Sequence, residues 1–210
     1  DESKNWQFML VTSTIFKEEN KPFYIVTGSI MESSSALLNP IDKPNMETYT
    51  GSVFGKDVHM LNIVGGITEY GTALIVKRSY KEDVVKRSLF SLADENSFKF
   101  FRKRCLLAII DDNISEIVVP FKNKYKYGTG ITDDIIVLYF IWKLGIDWVR
   151  TYYAIDVPDS AINFNMAFFE KINLNSMGHI CGSLREEMIL KLKSFGMTTY
   201  NSEDKEDLTL

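Results

Sequence analysis

One segment constrains this chain more than any other. Ile117-Val118-Val119-Pro120 is a short apolar run suited to a strand, and Lys122, Lys124 and Lys126 follow it in a basic loop. Gly128-Thr129-Gly130 then opens a stretch, Asp133 to Leu144, that reads as a helix. Glycines at a helix start let a ligand approach the backbone closely. The N–H groups exposed there can hold phosphate oxygens, and nearby lysines reinforce the attraction. The plainer reading is a strand-to-helix turn whose glycines only permit the bend, with the lysines in water. The spacing is not the dinucleotide fingerprint, which needs a third glycine, and it is not a P-loop.

Composition narrows the class. At 210 residues the chain suits one substantial domain, and 45% apolar with 13% aromatic residues excludes disorder over most of it. Twenty-eight acids against 24 bases give a net charge of -4, which argues against a general nucleic-acid binder. The two cysteines, Cys105 and Cys181, are too far apart in sequence for a disulfide framework and read as reduced thiols of a cytoplasmic protein. No run approaches the roughly 20 apolar residues of a membrane span. The opening Asp1-Glu2-Ser3-Lys4-Asn5 has no signal-peptide pattern and, lacking Met, is expected to be a trimmed or processed end.

The pattern along the chain predicts a mixed α/β domain. Gln7 to Phe16 and Phe23 to Ile30 are rich in β-branched and aromatic residues around the turn Lys17 to Pro22, which predicts a hairpin. Met31 to Gly55 reads as a long loop. Strands are expected at Val58 to Val64 and Thr72 to Lys77, joined through Gly65-Gly66 and Tyr70-Gly71. Tyr80 to Arg104 carries helical spacing, with a break at Asp94-Glu95-Asn96. Leu106 to Ile110 and Ile114 to Val119 form a third expected hairpin around Asp111 to Asn113. A strand at Trp148 to Val157 and helices over Ser160 to Lys171 and Leu184 to Phe195 complete the pattern. The expectation is one domain over 1–200, with a mostly antiparallel sheet, one parallel strand pair and flanking helices. Residues 201–210 are expected to form a disordered acidic tail.

The order strand, Gly-x-Gly loop, helix, strand, helix over Ser115 to Leu174 resembles the GCN5-related N-acetyltransferase superfamily. Phe169-Glu170-Lys171-Ile172-Asn173-Leu174 stands where that family carries a Tyr-Glu-Lys-x-Gly-Phe-like ending. The resemblance implies a GNAT-like fold and transfer of an acyl group from acetyl-CoA or another acyl-CoA to an amine acceptor, without a metal. It implies that the Gly128, Thr129, Gly130 and Ile131 backbone, with Lys126 near, holds the CoA pyrophosphate. A backbone N–H near Val118 or Val119 would polarise the thioester carbonyl. Glu116 is the candidate base for the attacking amine. Because Phe169 replaces the tyrosine that often acts as acid, Tyr152 or Tyr153 is the candidate acid. Each of these three side chains also has a plain reading, as an exposed strand-end carboxylate or as packed phenols.

Other features carry weaker chemistry. His179 and Cys181 flank one residue, which suggests a cysteine nucleophile, whereas His59 has no metal-ligand spacing to the cysteines. Lys99-Phe-Phe-Arg-Lys-Arg104 reads as the solvated end of a helix, with its phenylalanines packed and its cations near a negative C-terminus. The rival to the enzyme is a non-catalytic protein, viral or regulatory, that binds a macromolecular partner. The acyltransferase reading demands that Ile114 to Val119 and Trp148 to Val157 lie side by side as parallel strands.

Overall fold

Several runs that look strand-like in isolation are helical in place. The structure is a computed structural model that describes residues 18, 21, 23–28, 30–31, 58–92, 94–117, 125–128, 130–153, 157–178, 180, 182–200 and 204. Its elements are β1 (Phe23–Thr27), β2 (Val58–Asn62), α1 (Glu69–Ser79), α2 (Glu82–Leu92), α3 (Phe98–Ile110), α4 (Ile131–Leu144), α5 (Ile146–Tyr153), β3 (Lys171–Ile172), α6 (Gly182–Ser194) and β4 (Thr198–Thr199). Short 3₁₀ turns cover Ile114–Glu116, Asp159–Asn163, Ala167–Glu170 and Asn175–Met177. The described residues are therefore mixed helix and strand, broadly α/β, with helix predominating.

β1 and β2 pair in parallel from Phe23↔Val58 to Thr27↔Asn62, and β3 pairs in parallel with β4. Both pairings among the described residues are thus parallel, where a mostly antiparallel sheet was expected. A parallel pair needs a long connection, which the stretch between β1 and β2 supplies. The expected strand Gln7 to Phe16 and most of the loop Met31 to Gly55 lie outside the described residues.

Four expected strands need correction. Thr72 to Lys77 lies inside α1, where Leu74 is buried and the chain is recruited to a helix by packing. Leu106 to Ile110 is the second half of α3, so Asp111-Asp112 ends a helix and does not turn a hairpin; Asp112 takes φ 52° there. Ile114–Glu116 is a 3₁₀ turn, and Val118 and Val119 lie outside the described residues. Trp148 to Tyr153 is helical, within α5, and therefore cannot be the parallel neighbour that the acyltransferase reading demands. Its period is 3.6 and not 2: Val149 is buried, Ile146 and Tyr152 are half-buried, and Asp147, Arg150 and Thr151 face water. The helix expected over Ser160 to Lys171 is two 3₁₀ turns leading into β3. The break at Asp94 to Asn96 is present, with Ser97 capping α3 by accepting a hydrogen bond from the Phe100 N–H at 3.2 Å.

The main core forms around α4, which buries Ile136, Val137, Tyr139, Phe140 and Ile141. A helix apolar on most of its circumference belongs inside a domain. Phe169 stacks on Tyr139 with centroids 4.6 Å apart, and the fully buried Cys105 and Leu106 of α3 join the same cluster. A second cluster holds Ile67, Leu74, Ile172, Met177, Ile180, Leu192 and Met197. Tyr70 packs against both. Gly145 ends α4 at φ 89° and ψ 153°, a backbone conformation that favours glycine, and α5 starts at the next residue.

The turn Val64 to Thr68 ties these parts together. The Met31 N–H donates to the Ile67 carbonyl at 2.9 Å and the Asn173 N–H donates to the Gly66 carbonyl at 2.8 Å. The Thr68 hydroxyl donates to the Phe169 carbonyl at 2.5 Å. Gly65-Gly66 is thus no hairpin turn. A Cβ at Gly66 would lie 2.5 Å from Met177 Cγ and 2.8 Å from the Asn173 carbonyl oxygen. The glycine is needed for close approach. Gly66→Ala should destabilise the fold by about 1–3 kcal/mol through overpacking against backbone that has little room to move. A lowered midpoint in urea unfolding at unchanged slope checks this, and an unchanged midpoint contradicts it.

Candidate functional site

The glycine loop does form a helix start. Gly130 is the N-cap of α4, and Gly128 takes φ 85°, which glycine accepts readily. The site it was expected to offer is already engaged from within. The Gly128 N–H donates to both carboxylate oxygens of Asp134, at 3.0 and 3.1 Å, and the Tyr125 hydroxyl donates to the same carboxylate at 2.6 Å. Asp133 and Asp134 both stand in the first turn of α4, where the helix dipole favours negative charge. The protein's own carboxylates therefore answer the field that was assigned to a pyrophosphate. Lys126 and Ile131 are exposed, and Thr129 lies outside the described residues.

The remaining expected site residues do not gather around that loop. Tyr152 stacks on Trp148 within α5, centroids 4.5 Å apart, and Tyr153 is the last residue of that helix. Both phenols were expected on a strand over Trp148 to Val157, and both stand on a helix. Glu116 sits in a 3₁₀ turn, where the Asn113 side-chain amide donates to it at 2.7 Å. His179 and Cys181 lie outside the described residues.

Glu116 does help line a cleft of about 310 Å³, in the size range of small-molecule sites. One face of α3 supplies Phe100, Arg104, Leu107 and Ala108, its C-cap supplies Asp111, and α2 supplies Glu82, Val85 and Lys86. Lys77, Glu95 and Ile117 complete the wall. Helical spacing puts each set on one side of its helix. The floor is apolar, with Val85, Phe100, Ala108 and Ile117 buried. Ion pairs fix part of the rim: Lys77 with Asp111 at 2.6 Å and Lys86 with Glu82 at 2.9 Å. The hydrogen bond from Lys86, and then its charge, hold the Glu82 carboxyl below the usual range. The Glu82 carboxylate in turn raises Lys86. Arg104 and Glu95, by contrast, enter no ion pair among the described residues. No described residue of α5 or of the Gly128 turn lines this cleft.

Two charge clusters brace the surrounding helices. Glu69, whose side chain is only 4% exposed, meets Arg102 Nε and Lys103 Nζ of α3 at 3.1 Å each, and Arg102 also pairs with Asp133 of α4. The Nε–H of Arg102 is not aligned on Glu69 Oε2, so that contact is a charge pairing and not a hydrogen bond. Burial pushes the Asp133 carboxyl up, while Arg102 pulls it back. Lys99 to Arg104 is consequently the start of α3 and not a solvated C-terminal end, although Phe100 and Phe101 are packed as expected. In the second cluster Tyr139 donates to Glu170 Oε1 at 2.8 Å, and Lys143 reaches the same oxygen at 2.7 Å.

Among the described residues no group of three or more His, Cys, Asp and Glu could hold a metal ion, and no helix is long and apolar enough to cross a membrane. No protein-family model, curated protein or solved structure matches the chain.

Two expectations follow. Asp134→Ala removes the acceptor for the Gly128 N–H and the Tyr125 hydroxyl. It should cost about 1 kcal/mol in thermal or urea unfolding, with Asp134→Asn recovering part of it. Equal stability of all three proteins would contradict that role. Burial first, and then Glu170, push the Tyr139 phenol above its ordinary value. The folded state thus keeps a proton that the unfolded chain releases above about pH 10, so stability falls as pH rises through that value. Tyr139→Phe should leave stability at pH 8 to 9 without this pH dependence and remove up to about 1.4 kcal/mol per pH unit from the decline above about pH 10, read by urea unfolding between pH 8 and 11.

Proposed function

We propose that the protein is a non-catalytic binding module whose ligand site is the cleft between α2 and α3. One observation carries this reading. The cleft joins a buried apolar floor to a charged rim partly locked by ion pairs, while Arg104 and Glu95 are left without ion-pair partners among the described residues. An apolar floor with a few convergent polar groups is the usual make-up of a small-ligand site.

Acyl transfer from acyl-CoA to an amine, on a GNAT-like fold in the cytoplasm, is the second reading. It draws on one observation, that Glu116, its candidate base, stands in the same cleft as Lys77, Lys86 and Arg104. A carboxylate there could take a proton from an amine, and the cations could face phosphates. Against it stand the helical Trp148 to Tyr153 and the Asp134 carboxylate on the Gly128 amide.

A thermal-shift panel of acetyl-CoA, a long-chain acyl-CoA, free CoA, nucleotides, amino acids and short peptides separates the two. A ligand at a hundred times its Kd stabilises the fold by about 2.7 kcal/mol, an increase in Tm of about 5–10 °C at this size. The binding reading expects one non-CoA class to raise Tm, with the shift lost in Arg104→Gln and no CoA released from acetyl-CoA in the presence of amines. A Tm increase with acetyl-CoA together with amine-dependent thiol release would establish the transferase instead.

A further inference from the structure

Resting on the cleft as the ligand site, we propose that it takes a free amino acid with a large apolar side chain. Arg104 receives the carboxylate and Glu95 the ammonium. The charged groups of the wall can be accounted for one by one. Lys77 is committed to Asp111 and Lys86 to Glu82. The Asn113 amide donates to Glu116 Oε1. Arg104 and Glu95 stay outside every ion pair among the described residues, yet both line the same cleft. They are not paired with each other either, so the cleft carries one cation and one anion that no ion pair among the described residues answers. A ligand carrying one charge of each sign answers both.

Charge complementarity excludes the simpler ligands. A plain anion would meet Arg104 but also face the carboxylates of Glu95 and Glu116. A plain cation would find those acids but leave the Arg104 guanidinium opposed by like charge. Only a zwitterion satisfies both ends. Arg104 suits a carboxylate because its planar fork donates two parallel N–H bonds. An ammonium has three donors for Glu95. Val85, Phe100, Leu107, Ala108 and Ile117 line the same cleft and present hydrocarbon to the ligand's side chain. The volume of about 310 Å³ is at the small end of the range for ligand sites. A single large apolar amino acid occupies such a space, whereas a CoA nucleotide would leave most of its atoms outside.

Calorimetric titration of the whole chain with L-phenylalanine, L-leucine, N-acetyl-L-phenylalanine and L-phenylalanine amide tests this directly. Phenylalanine and leucine should bind. Blocking the amine or the carboxylate should each weaken binding at least tenfold on the unaltered protein, so the result does not depend on any variant folding. Arg104→Gln should weaken phenylalanine at least tenfold but leave the amide derivative unchanged, and Glu95→Gln should do the same toward phenylalanine and the N-acetyl derivative. Equal binding of blocked and free forms overturns the zwitterion assignment while leaving the cleft as an apolar site. If neither amino acid binds, but another compound class raises Tm in a manner lost in Arg104→Gln, the ligand class falls and the cleft reading stands. If no compound gives a shift that Arg104→Gln removes, both fall together.

Discussion

The Val64 to Thr68 turn is the constraint on which the rest of the fold depends. With only short two-stranded ladders among the described residues, little long-range order comes from sheets. The turn supplies it instead, by exchanging buried hydrogen bonds with Met31, Phe169 and Asn173. Those partners come from two distant stretches of the chain, Met31 on one hand and the run holding Phe169 and Asn173 on the other, and each bond satisfies a polar group that would be costly to leave unpaired away from water. Gly66 must be a glycine for the Asn173 carbonyl to come so near. From this anchor α1 departs with Glu69 already inside, and Glu69 then draws in Arg102 and Lys103 of α3.

That chain of dependence explains how the cleft is positioned. Arg102 and Lys103 turn toward Glu69, so the face of α3 bearing Phe100, Arg104, Leu107 and Ala108 is turned toward α2. Consecutive cations of one run thus serve different ends. The first pair locks helices together and the next residue stands in a cleft. A buried charge cluster gives little net stability, because desolvation offsets most of the attraction. Its contribution here is orientation, since removal of Glu69 would leave Lys103 without an ion-pair partner among the described residues and Arg102 with Asp133 alone.

How far the sequence carried the fold depended on which signal was local. β1, β2, α4, α6 and the break before α3 announce themselves through β-branched alternation, helical spacing and a Ser97 cap. Thr72 to Lys77, Leu106 to Ile110 and Trp148 to Tyr153 were misread for one reason. Aliphatic and aromatic runs favour strands in isolation, but packing against α4 and its neighbours decides them here. The 3.6 period of Val149 between exposed Asp147 and Arg150 was present in the letters, and Gly145 marked the start of a new element. At the site, Glu116 was found by its chemistry, although for a role tied to a sheet. Arg104 was within view as part of a basic run, but its isolation from ion pairs needs coordinates. The Asp134 capture of the Gly128 amide was equally hidden, because a carboxylate near a glycine loop can point inward or outward.

Cys105 gives the core a built-in reporter. Its thiol is fully buried in α3, directly after Arg104, among side chains of the main cluster. A thiol reacts as its thiolate and only when reagent can reach it, so Cys105 is chemically silent while α3 stays docked. Whenever that helix lifts from the main cluster, the sulfur meets solvent, and its labelling rate becomes a count of opening events. When reclosing outpaces the reagent, the rate reports the free energy of opening, and when it does not, the rate reports the opening step itself. Because α3 also carries the cleft wall, that single sulfur registers how often the binding surface comes apart.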